Sequence, residues 1–143
     1  MKQFFSLLLL IVLSTTSFAN DTSVSPNVLQ SFQKTFSTAK EVNWTYSKDL
    51  YKVEFVYSSQ HISAFYDADG NLVVLAKNIL STQLPLLLEN NLKEDYCGYW
   101  IADVIEFSTE DDTTYYATLE NGNEKVIMKS SQNSWSVTKK IKK

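Results

Sequence analysis

Hydrophobic and polar positions alternate along two long stretches of the chain, residues 41–77 and 100–138, and this period of two is typical of β-strands. In the clearest run Tyr51, Val53, Phe55 and Tyr57 share one side, and two charged residues lie on the other. Tight turns at 67–70 and 121–122 separate neighbouring runs, which predicts an antiparallel meander. The predicted strands are 41–47, 50–57, 61–66, 71–77, 100–107, 113–119, 124–129 and 134–138.

Each group of strands follows a stretch with helical spacing of apolar residues. Ser25 and Pro26 predict the start of a helix that ends near Ser37. Ser81 is predicted to cap a second helix, with Pro85 in its first turn. The apolar stripes are Val28, Leu29, Phe32 and Phe36 in the first helix and Leu84, Leu87, Leu88 and Leu92 in the second.

The succession of one helix and four strands therefore occurs twice. A shift of about 63 residues places 67–72 on 130–135, turn on turn. The predicted fold class is α+β, a tandem pair of helix-plus-four-stranded antiparallel sheet units with the helices on one face. The first unit is predicted at 20–80 and the second at 81–143, and together they are expected to form one compact domain.

The N-terminus has the features of a signal peptide. Lys2 precedes an apolar run from Phe4 to Leu13, and Ser17 and Ala19 fit a small-x-small cleavage pattern. The run is too short to span about 30 Å of hydrocarbon comfortably, which disfavours an uncleaved anchor. Residues 1–19 are therefore predicted to be removed, leaving no membrane span, and the protein is expected to be periplasmic or secreted.

Composition narrows the classes of partner. The formal net charge is −3, and every basic residue is Lys. The lack of Arg argues against nucleic-acid reading, and an acidic body favours cationic or protein partners. The chain has one cysteine, Cys97, so no internal disulfide is possible; it is interpreted as a buried apolar residue, with a free thiol and an intermolecular bridge as alternatives. The Lys-rich tail 139–143 is predicted to be frayed.

No group of residues predicts catalysis. His61 is the one histidine, and nothing places it beside Cys97 as a nucleophile–base pair. One His and one Cys cannot close a zinc site, and the acidic residues of 67–71 lack the spacing of a calcium loop, so they are predicted to form a hairpin turn. The sequence predicts no enzyme activity and no cofactor.

Several motifs together resemble one family. They are Ser25-Pro26-x-Val28-Leu29-x-x-Phe32, Val42-x-Trp44, Tyr51-x-Val53-x-Phe55, Ala64-x-Tyr66-Asp67-x-Asp69-Gly70, Leu84-Pro85 and the loop Tyr96-Cys97-Gly98-Tyr99. In this pattern the chain is similar to the PepSY-like, beta-lactamase-inhibitor-like family of exported bacterial proteins. The family tends to have Pro in the tyrosine-glycine loop, where this chain has Cys97. The resemblance implies a tandem of helix-on-sheet units and a non-enzymatic binding or inhibitory role, and it assigns no contact residue.

Both faces of several strands carry aromatic residues, so some rings are expected on the sheet face turned away from the helices. Six residues are predicted to form a binding surface: Trp44, Tyr46, Tyr57, Phe65, Tyr116 and Trp135. The expected partner is another envelope or extracellular protein. The alternative is a periplasmic protein that binds a small molecule or peptide in a pocket between helix and sheet.

Overall fold

The computed structural model of the protein describes residues 23–143. Two α-helices, one short 3₁₀ turn and eight strands make up this part of the chain. In chain order they are α1 (Pro26–Thr35), β1 (Lys40–Ser47), β2 (Leu50–Tyr57), β3 (Gln60–Tyr66), β4 (Leu72–Asn78), the 3₁₀ turn (Ser81–Gln83), α2 (Leu86–Asp95), β5 (Trp100–Ser108), β6 (Thr113–Glu120), β7 (Glu124–Ser131) and β8 (Ser134–Lys142).

All eight strands form one antiparallel sheet in the order β1 to β8. At its centre β4 pairs with β5, through Leu75 opposite Ser108 and Asn78 opposite Ile105. The prediction of two tandem units, each with its own four-stranded sheet, is therefore wrong. Sequence periodicity finds the strands, but the pairing of β4 with β5 joins positions about 30 residues apart and leaves no periodic signature.

Both helices pack on the same face of this sheet, because side chains alternate and paired residues share a face. Val53 and Ala64 contact α1, and Val104 and Ala117 contact the region of α2. Leu75 packs with the first group and lies opposite Ser108, which shares the face of Val104 on β5. We call this side the helix face and the opposite side the open face.

The helices bury most of the stripes that the sequence predicts, but Leu87 is 55% exposed, so its place in the second stripe is wrong. Phe32 of α1 is 5% exposed and Leu88 of α2 is 1% exposed, which confirms both as core residues. The second helix begins later than predicted, because Ser81 starts a 3₁₀ turn and Pro85 is the N-cap of α2. Leu84, the residue before the proline, is extended at φ −64° and ψ 151°, the conformation that a following proline favours.

The turn 67–70 is built as the sequence predicts and lies against α1. Asp67 accepts hydrogen bonds from the backbone N–H groups of Asp69 and Asn71. The side-chain amide of Asn71 also donates to Asp67, and these bonds hold the pKa of Asp67 below its ordinary value. Gly70 has φ +89°, and a Cβ there would lie 2.7 Å from the carbonyl oxygen of Asn27, so only glycine fits between turn and helix.

The C-terminal tail is ordered rather than frayed. Strand β8 continues to Lys142, paired with Glu124 of β7. The backbone N–H of Lys143 then donates to the carbonyl of Asn123, and its Nζ lies 2.8 Å from Oε2 of Glu120. These contacts hold the end of β8 because they supply a partner for the backbone N–H of Lys143 and for its ammonium group. The composition of the tail does not reveal such partners.

Candidate functional site: the open face of the sheet

A hollow of about 440 Å³ lies on the open face, over strands β4 to β7. Its floor and walls are mainly apolar, and polar side chains stand at the margin. The lining residues are Val74, Ile105, Phe107, Thr109, Asp112, Thr114, Tyr116, Thr118, Ile127 and Lys129. No helix covers this side of the sheet, so the apolar lining faces solvent along the described chain.

Two rings and one lysine form the most structured part of the hollow. The rings of Phe107 and Tyr116 pack edge to face, with centroids 5.3 Å apart. Nζ of Lys129 lies 5.8 Å from the centroid of the Tyr116 ring, within the range of a cation–π contact. The pair is a rigid apolar anchor with a positive charge beside it.

The hollow exists because short side chains lie between long ones. Thr114 and Thr118, which line the hollow, lie on either side of Tyr116 on β6. Alternation of small and large residues on one face is therefore what leaves room for another molecule.

A second, more polar hollow of about 470 Å³ adjoins the first over strands β2 to β5 and shares Ile105 and Phe107 with it. Lys52 and Glu54 form an ion pair there, with 2.7 Å between Nζ and Oε1. His61 also lines it and is exposed near the start of β3. The open face thus combines an apolar region over β5 to β7 with a polar region over β2 and β3.

The structure places two of the six predicted surface residues on the open face. Phe65 lies opposite Val74, beside the hollow, and Tyr116 lines it. Both are half-buried by their neighbours on the sheet. They belong to one continuous surface, although they come from opposite halves of the sequence.

The other four lie on the helix face. Trp44 and Tyr57 pack against the first core cluster, and Trp135 packs against the second and donates its indole N–H to the carbonyl of Leu88, 2.9 Å away. Tyr46 is 51% exposed, with its ring 4.7 Å from that of Tyr51. These residues share a face with the helices because they occupy the same alternate positions as the core residues.

Sequence reasoning missed the main contributors to the hollow, Ile105, Phe107 and Ile127. Ile105 and Ile127 lie next to the buried residues Val104 and Val126, and Phe107 lies two positions after Ile105, so period two carried the signal that all three face away from the helices. The predicted binding surface contained aromatic residues only, so it omitted the two isoleucines. Their convergence with Val74 depends on the pairing of β4 with β5, which only the folded chain reveals.

The residues with catalytic potential do not form a site. His61 lines the polar hollow, whereas Cys97 lines a cleft between α2 and β5 with Leu92 and Tyr99. Cys97 is exposed, so its interpretation as a buried residue is wrong. Among residues 23–143 no three His, Cys, Asp or Glu side chains are grouped as metal ligands would be.

Between helices and sheet the described side chains pack closely. Leu88 and Leu92 of α2 are 1% and 2% exposed, and the nearby clefts lie at the margins of that helix. The cleft beside Pro85 is lined by Ser and Thr side chains of β6 to β8 together with Leu88, Tyr115 and Lys129. The clefts between α2 and the sheet thus lie at the margins of the helix, whereas the mainly apolar hollow lies on the other face.

Comparison with solved structures shows what this arrangement is similar to. A Bacteroides eggerthii protein assigned to the periplasm superposes with a TM-score of 0.72 at 13% identity, covering 83% of this chain and 88% of the other. A DUF2874 family protein from Bacteroides uniformis superposes with a TM-score of 0.70 at 13% identity, covering 82% of this chain and 88% of the other.

A BLIP-like protein from Bacteroides fragilis gives a TM-score of 0.66 at 18% identity, covering 82% of this chain and 85% of the other. No protein-family model and no curated protein sequence matches the chain. At these identities the likeness concerns the fold, and it confirms the beta-lactamase-inhibitor-like part of the sequence resemblance: the chain has a BLIP-like fold.

Proposed function

We propose that this protein is an exported, non-enzymatic binding module that holds another envelope or extracellular protein against its open face. The observation that carries the proposal is the apolar hollow around Phe107 and Tyr116. An exposed apolar region with rigid aromatic anchors and a polar margin has the composition of a protein-binding hot spot.

The proposal of export rests on separate observations. The predicted signal peptide, 1–19, lies outside the described residues. Within residues 23–143 no helix is long and apolar enough to cross a membrane. One of the similar structures is assigned to the periplasm, which supports a periplasmic or secreted location for this chain as well. Membership of the PepSY-like family remains a proposal from the sequence motifs.

Binding rather than catalysis is supported by the contents of the open face. In the polar hollow Lys52 and Glu54 are paired with each other, and among the described residues no hydrogen bond joins His61 to Ser63, whose hydroxyl lines the same hollow. The solved structures that are similar to this chain include a BLIP-like protein. Inhibition of a target protein would be one form of the proposed binding. The alternative, a pocket for a small molecule or peptide between helix and sheet, would use the clefts beside α2 that Leu88 and Leu92 line.

The test begins with a partner captured from envelope extract by the mature protein and then purified. Phe107→Ser and Tyr116→Ser should each weaken its binding by roughly tenfold to a hundredfold, because each ring contributes roughly 1.5–3 kcal/mol when buried. Calorimetric titration measures this affinity, and a denaturation curve for each variant gives the folded fraction. Tyr46→Ser is the matched control, since this ring is more exposed but lies on the helix face.

The open face is the wrong surface if the two hollow variants lose stability while binding per folded molecule stays the same. Equal losses in Tyr46→Ser and Tyr116→Ser would place the contact elsewhere. A ligand that binds all variants alike and is too small to be a protein would instead support the pocket alternative.

A further inference from the structure

The open face has a charge pattern opposite to that of the whole chain. Although the net charge is −3, two lysines on this face have no carboxylate within 4.0 Å among the described residues. They are Lys129 on β7 and Lys139 on β8. Lys139 pairs with Ile127, which lines the hollow, so both lysines border the same apolar residue.

The carboxylates on the same face are already engaged. Glu54 pairs with Lys52, and Asp103 accepts a hydrogen bond from the side-chain amide of Asn78. Glu120 binds two ammonium groups, those of Lys125 at 2.9 Å and Lys143 at 2.8 Å.

Hydrogen bonds from Lys143 and Lys125 hold the pKa of Glu120 below its ordinary value. Among the residues that line the hollow, Asp112 is the one carboxylate, and it lies at the β5–β6 hairpin, away from Ile127. The side of the hollow toward β8 is therefore positive.

We propose that the segment held in the hollow is an acidic stretch of a protein, with an apolar side chain against Phe107 and Tyr116 and carboxylates paired with Lys129 and Lys139. This inference rests on the proposed function and names the chemistry of its partner. Charge complementarity carries it, because a partner carboxylate would meet two ammonium groups that have no ion-pair partner among residues 23–143.

A protruding protein segment suits this geometry better than other anionic partners. A bilayer surface cannot reach the floor of a hollow in a sheet, whereas a loop or an extended segment can. Nucleic acid is disfavoured because two lysines neutralise few phosphates and the chain has no Arg. Lys129 beside the rings of Phe107 and Tyr116 instead matches a partner segment in which an apolar residue is flanked by Glu or Asp.

The experiment uses three synthetic peptides with the same central Leu-Trp, flanked by Glu, by Gln or by Lys. Each peptide is titrated into isotope-labelled protein and followed by NMR. Binding should shift the open-face resonances of Ile105, Tyr116 and Ile127. The Glu peptide should bind about tenfold more tightly than the Gln peptide. Added salt should reduce this preference, because charge pairs at a rim are screened.

Variants separate this inference from the proposed function. Lys129→Gln with Lys139→Gln should remove the preference for the Glu peptide and leave the Gln peptide unaffected. Lys34→Gln on α1 is the control and should change neither. If Phe107→Ser fails to weaken any peptide, the proposed function itself is contradicted.

Three outcomes overturn the acidic-partner proposal alone. Equal affinity for the Glu and Gln peptides means that the lysines only protect the edge strand β8 from pairing with another chain. Lysine-dependent binding to phosphatidylglycerol vesicles, with no preference among peptides, would indicate a membrane surface instead. The acidic-partner proposal is also rejected if none of the three peptides, at millimolar concentration, shifts the open-face resonances.

Discussion

The two halves of the molecule, residues 23–80 and 81–143, fill the space beneath their helices with different chemistry. In the first half the core is aromatic, and Phe32 packs edge to face on Trp44 and Phe55 with centroids 5.3 and 5.0 Å away. In the second half the buried hydrophobic residues are not aromatic: they are Leu84, Leu88, Leu92, Val104, Ala117, Leu119, Val126 and Met128. One helix-on-sheet arrangement thus accommodates two kinds of packing.

The helices are also held to the following hairpins in different ways. In the first half the backbone of α1 at Asn27 approaches Gly70 so closely that no side chain fits. In the second half the side-chain amide of Asn91 donates to the carbonyl of Asn133, 2.8 Å away, and Trp135 donates to Leu88. Close approach requires glycine, whereas hydrogen bonding across a wider gap requires long polar side chains.

The halves differ in the chemistry of the open face as well as in packing. The open face of the first half carries the Lys52–Glu54 pair and His61, and that of the second carries most of the apolar hollow. Nothing in the helix-face cores requires this difference, since successive residues of a strand point to opposite faces. The open face is therefore free to vary while the cores keep the fold.

Truncation of the cores should have the largest effect. Phe32→Ala and Leu88→Ala should each lower the free energy of unfolding by roughly 2–5 kcal/mol, because both side chains are almost fully buried. Since one sheet joins the halves, either variant should shift a single unfolding transition, measured by amide hydrogen exchange in both halves. Loss of protection confined to the mutated half would contradict cooperative unfolding across β4 and β5.

Substitution of Gly70 tests the close approach in the first half. Gly70→Ala should cost roughly 2–3 kcal/mol, because the new Cβ meets the backbone of Asn27 and φ is +89°. Gly122→Ala is the control, since nothing lies within 4 Å of its Cβ position, and it should change stability by less than about 0.5 kcal/mol. Equal midpoints for the two variants in urea denaturation would show that α1 can move away from the turn.

The aromatic core also contains a buried hydroxyl. Tyr66 is 1% exposed, its OH has no hydrogen-bond partner, and burial raises its pKa from 10.0 to about 12. The folded state therefore holds this proton more tightly than the unfolded state does. The associated stability is complete below pH 10.0 and is lost as the pH rises through about 12, falling by roughly 1.4 kcal/mol per pH unit between them.

Tyr66→Phe should remove this contribution to the alkaline slope. At neutral pH the variant should be as stable as the wild type or up to about 1 kcal/mol more stable, because an unpaired buried hydroxyl is removed. Unfolding curves between pH 9 and pH 12 test the prediction. Tyr115→Phe provides the comparison in the second half, where burial and Glu106 also raise the pKa of Tyr115. A large loss of stability for Tyr66→Phe at neutral pH would indicate that the hydroxyl is hydrogen-bonded after all.

The smallest effect is expected at the junction of the halves. Nζ of Lys77 on β4 lies 3.2 Å from Oε1 of Glu106 on β5, and both side chains are partly exposed. A double-mutant cycle with Lys77→Gln and Glu106→Gln should give a coupling of roughly 0.2–1 kcal/mol that weakens in salt. A coupling above this range would mean that the ion pair, rather than the backbone ladder, joins the halves.

The elements of the fold were largely predictable from the sequence. Leu50–Tyr57 is a strand at both predicted ends, and Phe32 and Leu88 are buried as their helical spacing indicates. These features follow from local chemistry, because backbone periodicity fixes which residues share a face. The start of α2 was missed because Pro85 and the residue before it resist helix, which divides the segment into a 3₁₀ turn and a helix.

The sequence by itself determined the strands, the turns, the two apolar stripes and the alternation of faces, since each depends on neighbours along the chain. Only the tertiary structure decided that β4 pairs with β5, and this pairing replaced two sheets with one. The same pairing brings Val74 to Phe107 and Ile105 and so creates the hollow. It also decided that Trp44 and Trp135 serve the cores while Phe107 faces outward, because the positions of the helices set which face of each strand is covered.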